Sequence, residues 1–270
     1  MGPSTALRLT GRDTLPLLHR VTTNALEDLQ PGEARATLWC DFRGRLQWRA
    51  LVAVTSDGAV WLLRADAPGA ELAAALDKQV FRDDVQVEDL SRVYSFELAR
   101  GTTGESGVLA EVNAVPAIIS TGDGTRLVRV GTEEPLTEAA RIVLLHPKHG
   151  REIVDAFNPF EVGLAHEVHL AKGCFTGQEA LQRLITYGSV RRRPARVQLT
   201  APAPALPCDV LAKGDAPNDR AGVLTSFDAG EGFAILRREE LEAGADFALA
   251  DGRVVEVIAA PEPARPLGRP

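Results

Sequence analysis

Apolar and polar positions alternate or recur at helical spacing over most of this chain, and they predict its elements in order. Residues 7–10 read as a short strand. Asp13 then caps a helix that carries Leu17, Leu18 and Val21, with Pro16 in its first turn, where proline is tolerated. Residues 34–40 and 45–55 alternate as two strands about Asp41-Phe42-Arg43-Gly44, which suits a type I turn with a glycine bulge. Another strand covers 59–64, and Pro68 opens a helix with Leu72, Ala75, Leu76 and Val80 on one face. Short strands are expected at 85–87, 93–98, 109–112, 117–120 and 127–130, with a Gly/Thr/Ser-rich loop at 101–107. A helix at 135–140 leads into a buried strand at 142–145. Such a pattern predicts an α+β protein with an antiparallel sheet covered by helices on one side.

Beyond Arg191-Arg192-Arg193-Pro194 the pattern changes to short β runs at 196–199, 209–211, 221–226, 232–236, 247–249 and 254–258. Turns at Pro202-Ala203-Pro204, Ala229-Gly230 and Asp251-Gly252 separate them, so a small barrel or sandwich is expected. Residues 261–270 are Pro-rich and read as a flexible tail.

Composition narrows the function. The chain has 270 residues, enough for two or three units, and 45% apolar with 25% charged residues is an ordinary globular balance. A formal net charge of −7 argues against bulk attraction to nucleic acid, and few aromatics lie near the Arg191–Arg193 run, so no dedicated nucleic-acid site is expected. The three cysteines, Cys40, Cys174 and Cys208, form no CxxC pair, which excludes a disulfide framework and fits a reducing compartment. His166-Glu167-Val168-His169 is one residue too short for a zinc-peptidase motif, and no metal site is expected. With no apolar stretch long enough to span a membrane and no leader-like start, the expected location is the cytoplasm.

The stretch Lys172-Gly173-Cys174-Phe175-Thr176-Gly177-Gln178-Glu179 carries the candidate chemistry. Thr176 and Glu179 have capping-box spacing, Leu181, Leu184 and Ile185 follow at helical spacing, and Gly188 is a stop. A helix over 177–187 is expected, with Arg183 one turn beyond Glu179 as an ion-pair partner. Cys174 then lies just outside a helix N-terminus and two residues from Lys172, a setting that favours a thiolate. The competing reading of any free cysteine is a small buried hydrophobe.

The octapeptide resembles the K-G-C-[YF]-x-G-Q-E motif of the YgfZ-type folate-binding proteins, relatives of the glycine-cleavage T-protein (aminomethyltransferase). Thr10-Gly11-Arg12-Asp13, Thr22-Thr23-Asn24, Leu29-Gln30-Pro31-Gly32, Asp41-Phe42-Arg43-Gly44-Arg45 and Asn158-Pro159-Phe160-Glu161-Val162-Gly163-Leu164 resemble the same family. What the resemblance implies is a three-domain ring around a central folate pocket. Residues 1–50 and 131–190 would form one discontinuous folate-binding domain, 51–130 an inserted ferredoxin-like domain, and 195–260 a C-terminal β-barrel. The cofactor would be tetrahydrofolate or a derivative. Glu161 would face the pterin, Asn24, Arg141, Gln178 and Glu179 would line its pocket, and Cys174 with Lys172 would be the functional thiol pair. The T-protein's catalytic aspartate has no match, because Gln47-Trp48 stand there. The resemblance thus implies a folate-binding accessory protein in iron–sulfur cluster assembly or repair and linked tRNA modification. Iron–sulfur client or assembly proteins would be its partners. A one-carbon aminomethyltransferase and a non-catalytic scaffold remain the alternatives.

Overall fold

The computed structural model describes residues 3–199, 205–213, 219–262 and 264–268. The expected turn at 202–204 lies outside them. An antiparallel sheet forms first, in the order β2-β3-β4-β1-β5, from β1 (Thr5–Thr10), β2 (Ala34–Cys40), β3 (Leu46–Val54), β4 (Val60–Arg64) and β5 (Gln86–Asp89). Helices α1 (Thr14–Val21) and α2 (Gly69–Asp77) cover one face, where Leu7, Leu9, Leu17, Leu18, Val52, Leu62 and Leu72 are buried together. Each such leucine contributes roughly 2 kcal/mol through the area it removes from water. The alternate residues Leu51, Ala53, Trp61 and Leu63 point to the opposite face and pack on a long hairpin, β6 (Phe96–Val112) and β7 (Val115–Arg129).

Elements β1, α1, β3, β4, α2 and β5 follow the split β-α-β-β-α-β order of a ferredoxin-like unit, with β2 added at the edge. This unit spans residues 5–89 and is not an insert. The boundary expected at residue 50 falls inside β3, and the sheet draws strands from both sides of it. The reason lies in the alternation itself. The run 45–55 pairs with β2 on one edge and β4 on the other, so no cut through it leaves a closed sheet.

The glycine-rich stretch 101–107 is part of β6 and not a loop. Shifts in register between Arg100 and Leu109 accommodate its irregular composition. Gly101 is needed because a Cβ there would come 2.5 Å from the Thr125 carbonyl oxygen. Residues 142–145 are likewise not a strand. Thr137 accepts the Ala140 amide at 3.1 Å and starts α3 (Glu138–Val143), which carries Ile142 into the core as a helical residue. Asp13 does precede α1, yet its carboxylate takes the Asp84 amide at 2.8 Å instead of capping the helix.

From α3 the chain runs almost without regular structure, through one 3-10 turn at Ala165–Glu167, to α4 (Gln178–Thr186). Phe157, Phe160, Val162, Leu164, Val168 and Phe175 from this run pack with Leu38, Leu46 and the barrel residues Phe233 and Ile235. The barrel is closed, in the order β10-β11-β8-β13-β12-β9. Its strands are β8 (Arg192–Gln198), β9 (Cys208–Lys213), β10 (Asp219–Asp228), β11 (Glu231–Arg237), β12 (Asp246–Leu249) and β13 (Val254–Ala259), with α5 (Arg238–Glu242) between β11 and β12. The tail is not wholly loose. The Leu267 amide donates to the Val168 carbonyl at 2.7 Å, and the Leu170 amide donates to Leu267 at 3.0 Å. Within the described residues no helix is long and apolar enough to cross a membrane.

Candidate functional site

Two buried polar clusters fix the irregular run in place. Glu152 is fully buried; its carboxylate accepts Arg141 at 3.2 Å, the Lys148 amide at 3.0 Å, the Ser226 hydroxyl at 2.7 Å and the Thr225 hydroxyl. It therefore ties the run to β10 of the barrel. Arg49 on β3 reaches the buried Glu167 through Nε at 3.0 Å and Nη2 at 2.6 Å, and Nη1 donates to His146 Nε2 at 2.9 Å. Since guanidinium only donates, His146 must carry its proton on Nδ1, which donates to Asp123 at 2.9 Å. Burial raises the Asp123 pKa, but the His146 hydrogen bond and the Arg49 charge outweigh it and hold the carboxyl well below the usual range.

The motif loop is anchored by a residue that sequence reasoning passed over. His19 Nδ1 accepts the Leu26 and Glu27 amides at 3.1 and 3.3 Å, so Nε2 carries the proton and donates to the Lys172 carbonyl at 2.8 Å. In return Lys172 Nζ donates to the His19 carbonyl and sits 4.9 Å from the Phe175 ring centre. Burial, partly offset by Glu27 and Cys174, pushes the Lys172 amine down to about 8.

Gly177 is the N-cap of α4, at φ 85°, and no side chain caps the helix. A Cβ at this position would lie 2.4 Å from the Asp41 carbonyl oxygen. Glycine is thus required because the helix start is pressed onto the Asp41–Gly44 hairpin turn. The expected capping box does not form: Glu179 points to solvent and pairs with Arg183 at 2.6 Å. The stop is as expected, with Gly188 donating to Ile185 and Ser189 to Leu184 in a Schellman motif. Cys174 is exposed, Cys40 is buried and Cys208 lies between. Burial pushes the Cys40 thiol up, and burial also raises Cys208.

The structure separates the expected cofactor residues. Asn24 opens onto a cavity of about 430 Å³ between β2, β7 and the 3-10 turn, with Arg35, Thr121, His166, Glu167 and Leu267 on its walls. Glu161 lines a different, larger cleft, where Arg192 holds its two oxygens at 2.8 and 3.1 Å. Arg141 borders a third space of about 160 Å³ beside Glu138 and Lys148. Gln178 donates to the Leu170 carbonyl at 2.9 Å, and Glu179 faces solvent. His166 and Glu167 could have been found only as the residues walling the Asn24 cavity, a relation that spans more than 140 positions. Trp48 stacks on His149, with ring centres 5.1 Å apart, and Arg64 lies 5.4 Å from its ring centre. Among the described residues no group of His, Cys, Asp and Glu could hold a metal ion.

With this geometry in view, the likeness to known proteins places the fold. The chain superposes on the glycine cleavage system aminomethyltransferase T from Bartonella henselae with a TM-score of 0.72, at 16% identity, covering 95% of this chain and 83% of that one. It has the fold of that aminomethyltransferase. Residues 191–262 match the CAF17 C-terminal beta-barrel domain, which bears out the family resemblance read from the sequence. A 95-residue stretch is 36% identical to the putative transferase At1g60990, chloroplastic, of Arabidopsis thaliana. That stretch is 35% of this chain and spans only 21% of the relative.

Proposed function

We propose that this protein is a folate-binding accessory protein whose exposed thiol, Cys174, serves iron–sulfur cluster assembly or repair. One observation carries the reading. The loop that walls the Asn24 cavity with His166 and Glu167 runs on, through the Lys172–His19 anchor, to the exposed Cys174. At about 430 Å³ the cavity lies within the usual range for cofactor pockets. Glu167 Oε2 accepts a single hydrogen bond from Arg49 Nε, at 3.1 Å, so a lone pair remains for the ring N–H and amino donors of a pterin. In this reading Glu167 takes the role that the resemblance gave to Glu161. Lys172, two positions before Cys174, is held by His19. Aminomethyl transfer is disfavoured, because Gln47 and the stacked Trp48 occupy the position where the T-protein carries its catalytic acid.

Calorimetric titration with tetrahydrofolate tests the pocket. Ser120 on β7 also lines the Asn24 cavity, so Ser120→Phe should fill it and abolish binding, whereas Glu161→Gln should leave binding within twofold. The opposite pattern would move the pterin to the Glu161 cleft. Iodoacetamide at neutral pH should label Cys174 first, Cys208 more slowly and the buried Cys40 least. If Cys174→Ser complements a null strain fully, the thiol has no functional role.

A further inference from the structure

The cleft around Glu161 is the largest open space in the molecule among the cavities described, about 1010 Å³, and the cofactor reading does not use it. Six arginines line it, Arg45, Arg191, Arg192, Arg220, Arg237 and Arg238, against three glutamates. They arrive from four separate places: the first hairpin turn, the linker into β8, β10, and the junction of β11 with α5. Folding therefore concentrates positive charge that the chain's net charge of −7 conceals.

The local pairing leaves that charge available. Arg192 and Arg45 share a single carboxylate, Glu161, at 2.8 and 3.5 Å. Arg191 has no acidic partner among the described residues. Arg220, Arg237 and Arg238 pair with Asp209, Glu240 and Glu242 at or near the surface, where such contacts are weak and an incoming anion can displace them. Two exposed aromatic residues neighbour lining residues along the chain: Tyr187, 77% exposed, precedes Gly188, and Phe42, 73% exposed, is on the turn that leads to Arg45.

We propose that this cleft binds single-stranded nucleic acid, with the arginines on successive phosphates and Tyr187 and Phe42 as stacking platforms for bases. Spaced guanidinium groups beside exposed rings are the two ingredients of sequence-tolerant single-strand binding. The site stands apart from the Asn24 cavity, so neither reading depends on the other.

Fluorescence anisotropy with a labelled short oligouridylate, read over a salt series, tests this. Three or four phosphate contacts predict a log–log salt slope of about −2 to −3. Arg191→Glu with Arg238→Glu should weaken binding at least tenfold and flatten that slope. Arg191→Gln with Arg238→Gln, the milder change, should lose an intermediate amount. Tyr187→Ala should weaken binding without changing the slope. Reversal of two exposed arginines near the β5 end of the sheet, Arg12→Glu with Arg82→Glu, makes the same change in net charge and should leave affinity within twofold. The proposal is overturned if the wild type shows no saturable binding at low salt, or if the control reversal weakens it as much as the cleft reversal. It is equally overturned if an oligoglutamate peptide of matched charge displaces the oligonucleotide at lower concentration, which would assign the cleft to an acidic polypeptide.

Discussion

The barrel at 192–259 and the run at 144–177 differ in what holds them: among the described residues, only the run depends on buried ion pairs reaching across the fold. The barrel closes on itself through strand ladders around Ala195, Val197, Val210, Leu224, Leu236, Phe247 and Leu249, a core that needs no other part of the chain. The run has one 3-10 turn, and its apolar residues, such as Phe157, Phe160, Val162 and Val168, are buried in a core shared with the sheet and the barrel. It is placed by Glu152, Glu161 and Glu167, each buried and each met by an arginine from elsewhere in the fold. An apolar core tolerates small losses by relaxing, whereas a buried carboxylate stripped of its partner stays charged and costly. The half of the molecule that carries the candidate chemistry is therefore the half that depends on polar satisfaction.

The largest expected effect breaks that half. Glu152→Ala removes one of the acceptors of Arg141, which keeps Glu138 and the His146 carbonyl, and strips the Lys148 amide and the Ser226 hydroxyl of theirs inside the core, at a cost of about 3–5 kcal/mol in urea unfolding. A loss under about 1 kcal/mol would mean that water replaces the carboxylate, and the contrast with the barrel would fail. Next in size, Leu236→Ala opens a cavity in the barrel core and should cost about 2–4 kcal/mol. Its signature differs: folate affinity should be retained after Leu236→Ala and lost after Glu152→Ala, because only the latter releases the loop that walls the Asn24 cavity.

The same division explains what was legible in the sequence. The barrel strands, the sheet strands and α1, α2 and α4 follow apolar spacing, and each appears where that spacing put it, within a few residues. The glycines at 101 and 107 read as a loop because a bulged ladder and a loop have the same composition; only the partner strand distinguishes them. The clusters of Arg49 with Glu167 and of Glu152 with Ser226 join residues 118 and 74 positions apart, and no local pattern marks them. For the same reason the expected pocket residues separated. Asn24, Glu161 and Arg141 each follow from family-like motifs, yet each is taken up by a different space in the fold.

A smaller effect sharpens the comparison within the motif loop. The Lys172 amine has a folded pKa of about 8 against 10.5 when unperturbed, so the fold disfavours its charged form. Below pH 8 the protonated amine carries that cost in full, and the cost is relieved as pH rises from 8 toward 10.5. Wild type should therefore gain stability over Lys172→Met across that window. About 1 kcal/mol is expected, the full shift being reduced by solvent screening of a half-exposed group. A stability difference that is flat with pH would mean that the hydrogen bond to His19 and the Phe175 contact compensate the burial.

The smallest effect decides between two accounts of how the motif helix begins. If Thr176 and Glu179 formed a capping box, removing either would cost about 1 kcal/mol, the usual worth of a satisfied cap. In the structure neither side chain caps α4, and Glu179 makes only a solvent-exposed pair with Arg183, 80% and 70% exposed. Such a pair is worth roughly 0.3–0.5 kcal/mol and fades with salt. Glu179→Ala should accordingly cost no more than about 0.5 kcal/mol at low ionic strength. At about 1 M salt the cost should be indistinguishable from zero. Gly177→Ala is the counterpart, because its Cβ would be driven onto the Asp41 carbonyl from a left-handed backbone, and it should cost several times more. A salt-independent loss of about 1 kcal/mol or more at Glu179, with Gly177→Ala mild, would restore the capping box and leave glycine at position 177 without a steric cause.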